Sequence, residues 1–173
     1  MAGVPFKRAV RIPADVLAVL PPGEKPLAAS VARDGSWLVG SRDALMVVPA
    51  TGAGTRIPWQ VVERAEWSRD DERLRVLEVG QFGAVRPSYE FEIDEPGRLL
   101  ELVRERVTAS VVLQRRVSLG GGRGLFVVAR RHPNGDGAIT WSYEFDEGVD
   151  PDDPAVKEAA ERGLRTAAEE LGL

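Results

Sequence analysis

Residues 95–111 read E-P-G-R-L-L-E-L-V-R-E-R-V-T-A-S-V, and this stretch decides the fold. Its apolar residues recur at helical spacing and share one face of an α-helix: Leu99, Leu100, Val103, Val107 and Val111. On the opposite face, attraction between Glu101 and Arg104 is offset by repulsion between Glu101 and Glu105. Burial of the apolar face must therefore hold this helix, which we predict to extend over 96–110 with Asp94 as its N-cap.

Seven short strand candidates precede this helix, and turns rather than helices separate them. The last candidate, Ser88–Ile93, alternates apolar and polar residues, so that Tyr89, Phe91 and Ile93 share one face. Short strands joined by tight turns indicate an antiparallel sheet or a partly open barrel rather than βαβ units. We therefore predict an antiparallel β-barrel closed by the helix. Residues 1–12 are predicted to be an extended arm or an edge strand.

A smaller unit is predicted after the helix. Residues 111–119 alternate like a strand, although a helix that continues to Leu113 remains an alternative. Two glycine-rich turns, at 120–124 and 133–137, separate two further strand candidates, and a last helix begins after Asp152 or Asp153. The fold class is therefore α+β, with two parts: residues 1–110 form the arm, barrel and closing helix, and residues 111–173 form a three-stranded meander with a C-terminal helix, packed on the first part.

Composition excludes several classes of protein. The 173 residues contain no cysteine, which excludes disulfides, thiolate metal sites and cysteine nucleophiles. No apolar run is long enough to span a membrane, and the N-terminus lacks the apolar core of a signal peptide. We therefore expect a cytoplasmic protein without a membrane span. A net charge of −4 argues against a generic nucleic-acid binder.

The sequence lacks the motifs that are typical of catalytic, metal-binding and phosphate-binding sites. His132 is the single histidine, in a turn, so neither a zinc site nor a serine nucleophile with its base is predicted. The acidic residues lack the spacing of a calcium loop, and the glycines at 120–124 lack a phosphate-loop pattern. We expect no catalytic residue, no metal and no cofactor. Trp59 and Trp67 lie next to turns, so they are predicted either to join the core or to anchor a partner.

Charge is distributed unevenly along the chain. Residues 106–135 carry six arginines and no acid, whereas residues 136–173 carry eleven acidic and three basic residues. A folded hairpin gathers the basic residues of 115–132, which form the candidate binding set: Arg115, Arg116, Arg123, Arg130, Arg131 and His132. Either Glu144, Asp146 and Glu147 neutralise this set within the chain, or it remains unpaired and binds an anionic surface.

Three segments of the first part carry a resemblance to a known family. L-P-P-G-E (20–24), G-S-W-L-V-G-S-R-D-A-L-M-V-V (35–48) and R-I-P-W-Q-V-V-E-R-A-E-W (56–67) resemble the bacterial pleckstrin-homology-like (PH-like) pattern over residues 14–110. The whole chain is also similar to proteins of high-GC Gram-positive bacteria that have no assigned activity. The PH-like resemblance implies a barrel closed by a helix and a binding role. No lipid-binding residue is implied, because the first hairpin offers only Arg33 beside Asp34.

These observations favour a non-enzymatic binding or scaffold protein that uses a PH-like module for a protein partner or for self-association. One alternative is a binder of an anionic ligand, a nucleic acid or a lipid headgroup, through the arginine-rich hairpin. The other is a small enzyme with a cleft between the two parts.

Overall fold

Four antiparallel strands follow a short helix at the start of the described chain; the computed structural model describes residues 10–80 and 86–173. Helix α1 (Ala14–Leu17) comes first, and the four strands are hydrogen-bonded in sequence order. These strands are β1 (Ala28–Val31), β2 (Trp37–Gly40), β3 (Ala44–Val48) and β4 (Thr55–Pro58). The alternation of apolar residues gives the sheet an inner face, which contributes Leu38, Leu45 and Ile57 to the core, and an outer face, which α1 covers.

A 3₁₀ helix (Trp59–Val61) leads into the second antiparallel sheet, whose order is also sequential. Its strands are β5 (Val62–Ser68), β6 (Arg73–Glu78) and β7 (Ser88–Glu92). Helix α2 (Leu99–Ser110) packs on both sheets and buries Leu99 and Val103 in the core that they share. The predicted run of seven strands followed by one helix is therefore confirmed.

The predicted closed barrel is not confirmed. Within the described residues, strand pairing is interrupted between β4 and β5, so the first seven strands form two separate sheets. A backbone hydrogen bond of 2.8 Å, from Arg33 N to Glu92 O, links the end of β1 to the end of β7. The chain is thus α+β, with three antiparallel sheets and a C-terminal helix.

Helix α2 begins later than predicted. Its N-cap residue is Arg98, which makes no side-chain cap hydrogen bond, whereas Asp94 accepts a 2.6 Å hydrogen bond from Arg33 Nε. The prediction of Asp94 as the cap was wrong, because a nearby guanidinium takes that carboxylate. Leu102 is buried, whereas Leu100 is only half-buried. The buried face is therefore rotated slightly from the predicted one.

The third sheet and the last helix follow directly. Helix α2 ends at Ser110 and β8 begins at Val111, so the strand alternative for 111–119 is confirmed. Strands β8 (Val111–Gly120), β9 (Arg123–Arg130) and β10 (Thr140–Phe145) form a meander with β9 in the centre. Helix α3 (Pro154–Glu170) packs its apolar face against Leu125 and Val127, and its N-cap Asp153 accepts a 2.8 Å hydrogen bond from Ala155 N.

Two expectations about the chain as a whole remain partly open. Residues 1–9 of the predicted N-terminal arm lie outside the described residues, and the division into 1–110 and 111–173 stays a prediction. Among the helices of the described chain, none is both long enough and apolar enough to cross a membrane.

Candidate functional site

Two arginines of β8 are paired with acidic side chains of the same chain. Arg115 forms an ion pair with Glu170, near the end of α3. Arg116 Nη2 lies 2.7 Å from Asp146 Oδ2, and the guanidinium lies over the Phe126 ring, 5.1 Å from its centroid. Both ion pairs are partly exposed, so each adds little stability, but each neutralises a positive charge of the hairpin.

Asp146 also connects β10 to the start of β9. Its Oδ2 accepts a 2.7 Å hydrogen bond from the backbone N of Gly124. The hydrogen bond from Arg116, with a smaller contribution from Gly124 N–H, holds the pKa of Asp146 below its ordinary value. The carboxylate is therefore bound by two donors of the hairpin that it neutralises.

Arg130 is buried, with 3% of its surface exposed. Its guanidinium donates to Ser142 Oγ at 2.6 Å, to Glu144 Oε1 at 3.1 Å and to the backbone O of Glu63 in β5 at 3.0 Å. The placement of Arg130 in an open binding patch was therefore wrong, because this side chain joins the third sheet to the second one.

The remaining members of the candidate set lie at different places. Arg123 is exposed and makes a long hydrogen bond of 3.4 Å to the carbonyl of Gly148. Arg131 is half-buried, and its backbone N donates to Ser110 O. Adjacent residues of a strand point to opposite faces, so Arg115 and Arg116 cannot share one surface. The hairpin thus does not gather its arginines into one patch, and its binding role stays a prediction.

His132 is fixed by both of its ring nitrogens. Nε2 lies 3.2 Å from Asp43 Oδ1, and Nδ1 lies 3.2 Å from the backbone N of Asn134, which can only donate. Nδ1 therefore accepts from Asn134 N–H, and Nε2 faces the carboxylate of Asp43. Asn134 adds a second hydrogen bond to Asp43 Oδ1, at 3.3 Å.

These side chains line an open groove between the first part of the chain and the β9–β10 connection. Its volume is about 310 Å³, and Gln60 and residues 136–138 complete its lining. The groove corresponds in position to the cleft expected of an enzyme. Its histidine is engaged at both nitrogens, however, and the described residues contain no group of three or more histidine or acidic side chains suited to a metal ion.

A buried carboxylate, that of Glu63, lies where β5 contacts the third sheet through Arg130. Glu63 Oε1 accepts a 2.6 Å hydrogen bond from Arg86, whereas its buried Oε2 has no hydrogen-bond partner. Burial raises the pKa of Glu63, and the positive charge of Arg86 opposes this effect. The contact between the second and third sheets is therefore polar, and one of its buried oxygens, Oε2 of Glu63, has no hydrogen-bond partner.

The two tryptophans proposed as partner anchors belong to the core. Trp59 is completely buried, and its Nε1 donates to Ser41 O at 3.1 Å. Trp67 is half-buried and packs against the same core. The anchor hypothesis for Trp59 was wrong, because its indole fills the space between the sheets where no partner reaches it.

Sequence reasoning missed the position of β1 at the edge of its sheet. Within the described residues, β1 has β2 as its one strand partner, and the backbone groups of Ala29 and Val31 make no hydrogen bond outside that ladder. Arg33 N bonds to Glu92 O on the side away from β2, and alternate residues of a strand direct their backbone groups to the same side. The N–H and C=O groups of Ala29 and Val31 therefore point away from β2, to the same side of β1 as the Arg33–Glu92 hydrogen bond. Two apolar side chains of this segment are exposed as well, Leu27 by 50% and Val31 by 40%.

The composition of β1 distinguishes it from the other edge strands. Among the described strands at sheet edges, β1 (A-A-S-V) alone contains neither a charged residue nor a proline. Charges and prolines on edge strands commonly prevent pairing with other chains. Their lack at β1 is visible in the sequence, but the position of β1 at an edge is not.

Comparisons with known proteins found no match: no family model, no curated protein and no solved structure matches this chain.

Proposed function

We propose that this chain is a non-enzymatic cytoplasmic binding or scaffold protein, built on a PH-like module, that takes up another polypeptide at β1. The PH-like assignment is supported by the order of four strands, three strands and one helix that packs on both sheets. In the finer form of this proposal, a barrel closes between β7 and the end of β1 through the Arg33–Glu92 backbone hydrogen bond, so that an added strand contacts β1 only at Ala29 and Val31.

The observation that carries the proposal is the edge of β1, which has one strand partner among the described residues and contains neither a charged residue nor a proline. An added strand would satisfy the outward backbone groups of Ala29 and Val31, and it would cover part of Leu27 and Val31. In strand addition, backbone hydrogen bonds supply affinity and alternate side chains supply specificity. Binding of this kind needs no deep pocket.

Two substitutions of Val31 test the proposal. Val31→Pro replaces the outward N–H by a ring carbon, so it blocks an added strand while leaving the bonds to β2 in place. Val31→Thr keeps the N–H and the β-branched shape, and is the matched control. The probe is a fluorescein-labelled peptide with the sequence of residues 25–33, K-P-L-A-A-S-V-A-R. A peptide of alternating valine and threonine is the second probe.

We expect saturable binding of at least one peptide by the wild type and by Val31→Thr, measured by fluorescence anisotropy, and at least tenfold weaker binding by Val31→Pro. Circular dichroism and thermal melting report whether each variant is folded. If Val31→Pro is unfolded, Leu27→Lys replaces it, with Leu173→Lys as the control for an exposed leucine elsewhere. Failure of the wild type to bind either peptide contradicts the proposal, as does equal binding by the blocked and control variants.

A further inference from the structure

Two separate apolar cores lie on either side of the contact between the second and third sheets. One core lies between the first two sheets and α2, the other lies between the third sheet and α3, and the two share no residue. No linker joins them, because α2 ends at Ser110 and β8 begins at Val111. Parts of a chain that keep their own cores can move relative to each other unless a large apolar interface joins them. The residues at this contact therefore decide how firmly the third sheet is held.

Hydrogen bonds from charged and amide side chains cross this contact. Arg130 of β9 donates to the backbone O of Glu63 in β5 at 3.0 Å. Farther along the contact, His132 Nε2 lies 3.2 Å from Asp43 Oδ1, and Asn134 Nδ2 donates to the same oxygen at 3.3 Å. Water replaces polar bonds of this kind at a small net cost, because folding exchanges bonds to water for bonds within the protein. Each of these bonds therefore adds only modestly to the stability of the closed contact.

The carboxylate of Glu63 opposes the contact when it is charged. Its side chain is 4% exposed, and Arg86 donates to its Oε1 at 2.6 Å, whereas Oε2 is buried without a hydrogen-bond partner. A buried charge loses its hydration, and an oxygen without a donor recovers none of that loss. Opening the contact with the third sheet hydrates the carboxylate, so the charged form favours the open contact.

The charged groups that act on this carboxylate come from four places in the chain: Arg64 of β5, Arg86 before β7, Arg130 of β9 and Glu144 of β10. Burial raises the pKa of Glu63; Arg86 opposes this effect, Glu144 adds to it, and the two remaining arginines oppose it. Arg130 is itself neutralised by Glu144, to which it donates at 3.1 Å. Residues 81–85, which lie outside the described structure next to Arg86, contain no ionisable side chain. The loss of hydration is therefore only partly compensated.

Acid favours the closed contact. Since the pKa of Glu63 is raised above its ordinary value of 4.5 when the contact is closed, the closed form binds the proton more tightly than the open form. The closed form therefore has its full advantage below pH 4.5 and loses it as the pH rises through the raised pKa. A protonated carboxyl group also has an O–H donor, which the carboxylate lacks.

We propose that the contact between the second and third sheets is an acid-stabilised joint, which is closed when Glu63 is protonated and loosens when Glu63 is charged. The third sheet and α3 move as one body against the first two sheets, about the junction of α2 and β8. The groove beside Asp43 and His132 lies across the same contact, so its width changes with the joint. This device is independent of the polypeptide site at β1.

Single-molecule fluorescence energy transfer measures the joint, since the chain contains no cysteine of its own. Dyes are attached to Asp70→Cys, in the β5–β6 turn, and to Glu169→Cys, near the end of α3, because both residues are exposed. We expect the mean transfer efficiency of the wild type to shift between about pH 8 and pH 4.5. Glu63→Gln, which is neutral at every pH, is expected to keep the acid value throughout. Glu66→Gln, which removes an exposed carboxylate from the same strand, is the matched control and is expected to respond like the wild type.

A mean efficiency that does not change with pH in the wild type overturns the inference. A response that persists in Glu63→Gln overturns it as well, and assigns the response to another group, such as His132. Circular dichroism shows whether Glu63→Gln is folded; if it is not, Glu63→Met replaces it as a neutral side chain of similar length.

Urea unfolding gives a second readout that does not depend on the dyes. We expect the free energy of unfolding of Glu63→Gln, relative to that of the wild type, to rise as the pH increases from 4.5 to about 8, because only the wild type loses the proton there. A relative stability that is independent of pH overturns the inference. A pH-dependent relative stability without any shift in transfer efficiency also overturns it, since Glu63 then titrates without moving the third sheet.

Discussion

Arg130 shows how a single residue joins distant parts of this chain. It is one of six arginines in an acid-free segment, yet it is buried and bonded to three different partners, whereas Arg116 in the same sheet remains partly exposed. A buried guanidinium is tolerated only when its donors are satisfied and an opposite charge is near. Ser142, Glu144 and the backbone of Glu63 meet most of that requirement.

Arg130→Met is expected to lower the free energy of unfolding by about 3–5 kcal/mol, because Glu144 and the carbonyl of Glu63 lose their donor in a buried place. Arg116→Ala, which removes an exposed ion pair, is expected to cost less than about 1 kcal/mol. Urea unfolding at pH 7 measures both values. Equal effects of the two substitutions would mean that Arg130 is not buried against β5.

Asp146 gives the protein a defined response to acid. Its pKa is depressed in the folded chain, so the carboxylate contributes stability above its unfolded value near 3.8, and this contribution is lost as the pH falls through the folded value. Asp146→Asn is therefore expected to be less stable than the wild type at pH 7, with a difference that shrinks below about pH 3.8. Urea midpoints between pH 7 and pH 2.5 measure the difference, and exposed Asp70→Asn is the control. A difference that is independent of pH contradicts this role of Asp146.

Helix α3 packs on the third sheet through a glycine. A Cβ added at Gly163 would overlap Val117 Cγ2 and lie 3.1 Å from Val127 Cγ2. The helix therefore approaches β8 and β9 more closely than any other residue at 163 permits. This close approach brings Glu170 to Arg115, at the far end of the same helix.

Gly163→Ala tests that approach. Alanine favours a helix over glycine by about 1 kcal/mol, but overpacking of a core costs about 1–3 kcal/mol. We expect a net loss of stability, and we expect the double variant with Val117→Ala to be more stable than the sum of the single effects predicts. The wild type, the two single variants and the double variant form a double-mutant cycle, and thermal and urea unfolding measure the four free energies of unfolding. A stabilising Gly163→Ala would show that the helix and sheet are farther apart.

Helix α2 holds the first two sheets together, and its stability is predicted to depend on the buried face. Val103→Ala is expected to cost about 2–4 kcal/mol, because the methyl groups are removed from a closed core. Leu100 is half-buried, so Leu100→Ala is expected to cost less despite the larger deletion. Urea unfolding compares the two. A loss below about 0.5 kcal/mol for Val103→Ala would mean that this face is solvated.

At the scale of the whole molecule, the positive charges are dispersed rather than collected. Arg115, Arg116 and Arg130 each have an acidic partner, and these partners lie on α3, directly after β10 and on β10, respectively. The net charge of −4 therefore repels a polyanion that approaches the protein. The anionic-ligand alternative therefore depends on Arg123, Arg131 and His132.

We expect no binding of labelled single- or double-stranded nucleic acid, or of anionic vesicles, even at about 50 mM salt, where electrostatic attraction is strongest. Anisotropy and vesicle co-sedimentation measure this directly. Wild-type binding that falls steeply with salt and is lost in Arg123→Glu/Arg131→Glu would establish the hairpin as an anion site and contradict the prediction.

Local patterns determined most of the secondary structure. Alternation at 88–93, the apolar spacing at 99–107 and the turn residues at 120–124 and 133–137 predict elements that the structure contains, because each depends on neighbours within a few residues. The start of α2 was misplaced, since a residue distant in sequence, Arg33, takes the carboxylate of Asp94. The sequence likewise predicts that the acidic segment can neutralise the arginines, but not which acid meets which arginine.

What the sequence by itself determined is therefore the set of strands and helices and the faces that they bury, since periodicity and turn chemistry act along the chain. Only the tertiary structure decided that Trp59 fills the core, that Arg130 reaches β5 and that His132 pairs with Asp43. It also decided which of the described strands lie at sheet edges, among them β1. The physical reason is that pairing, burial and edge position depend on residues far apart in the chain, and no local pattern specifies which distant partner arrives.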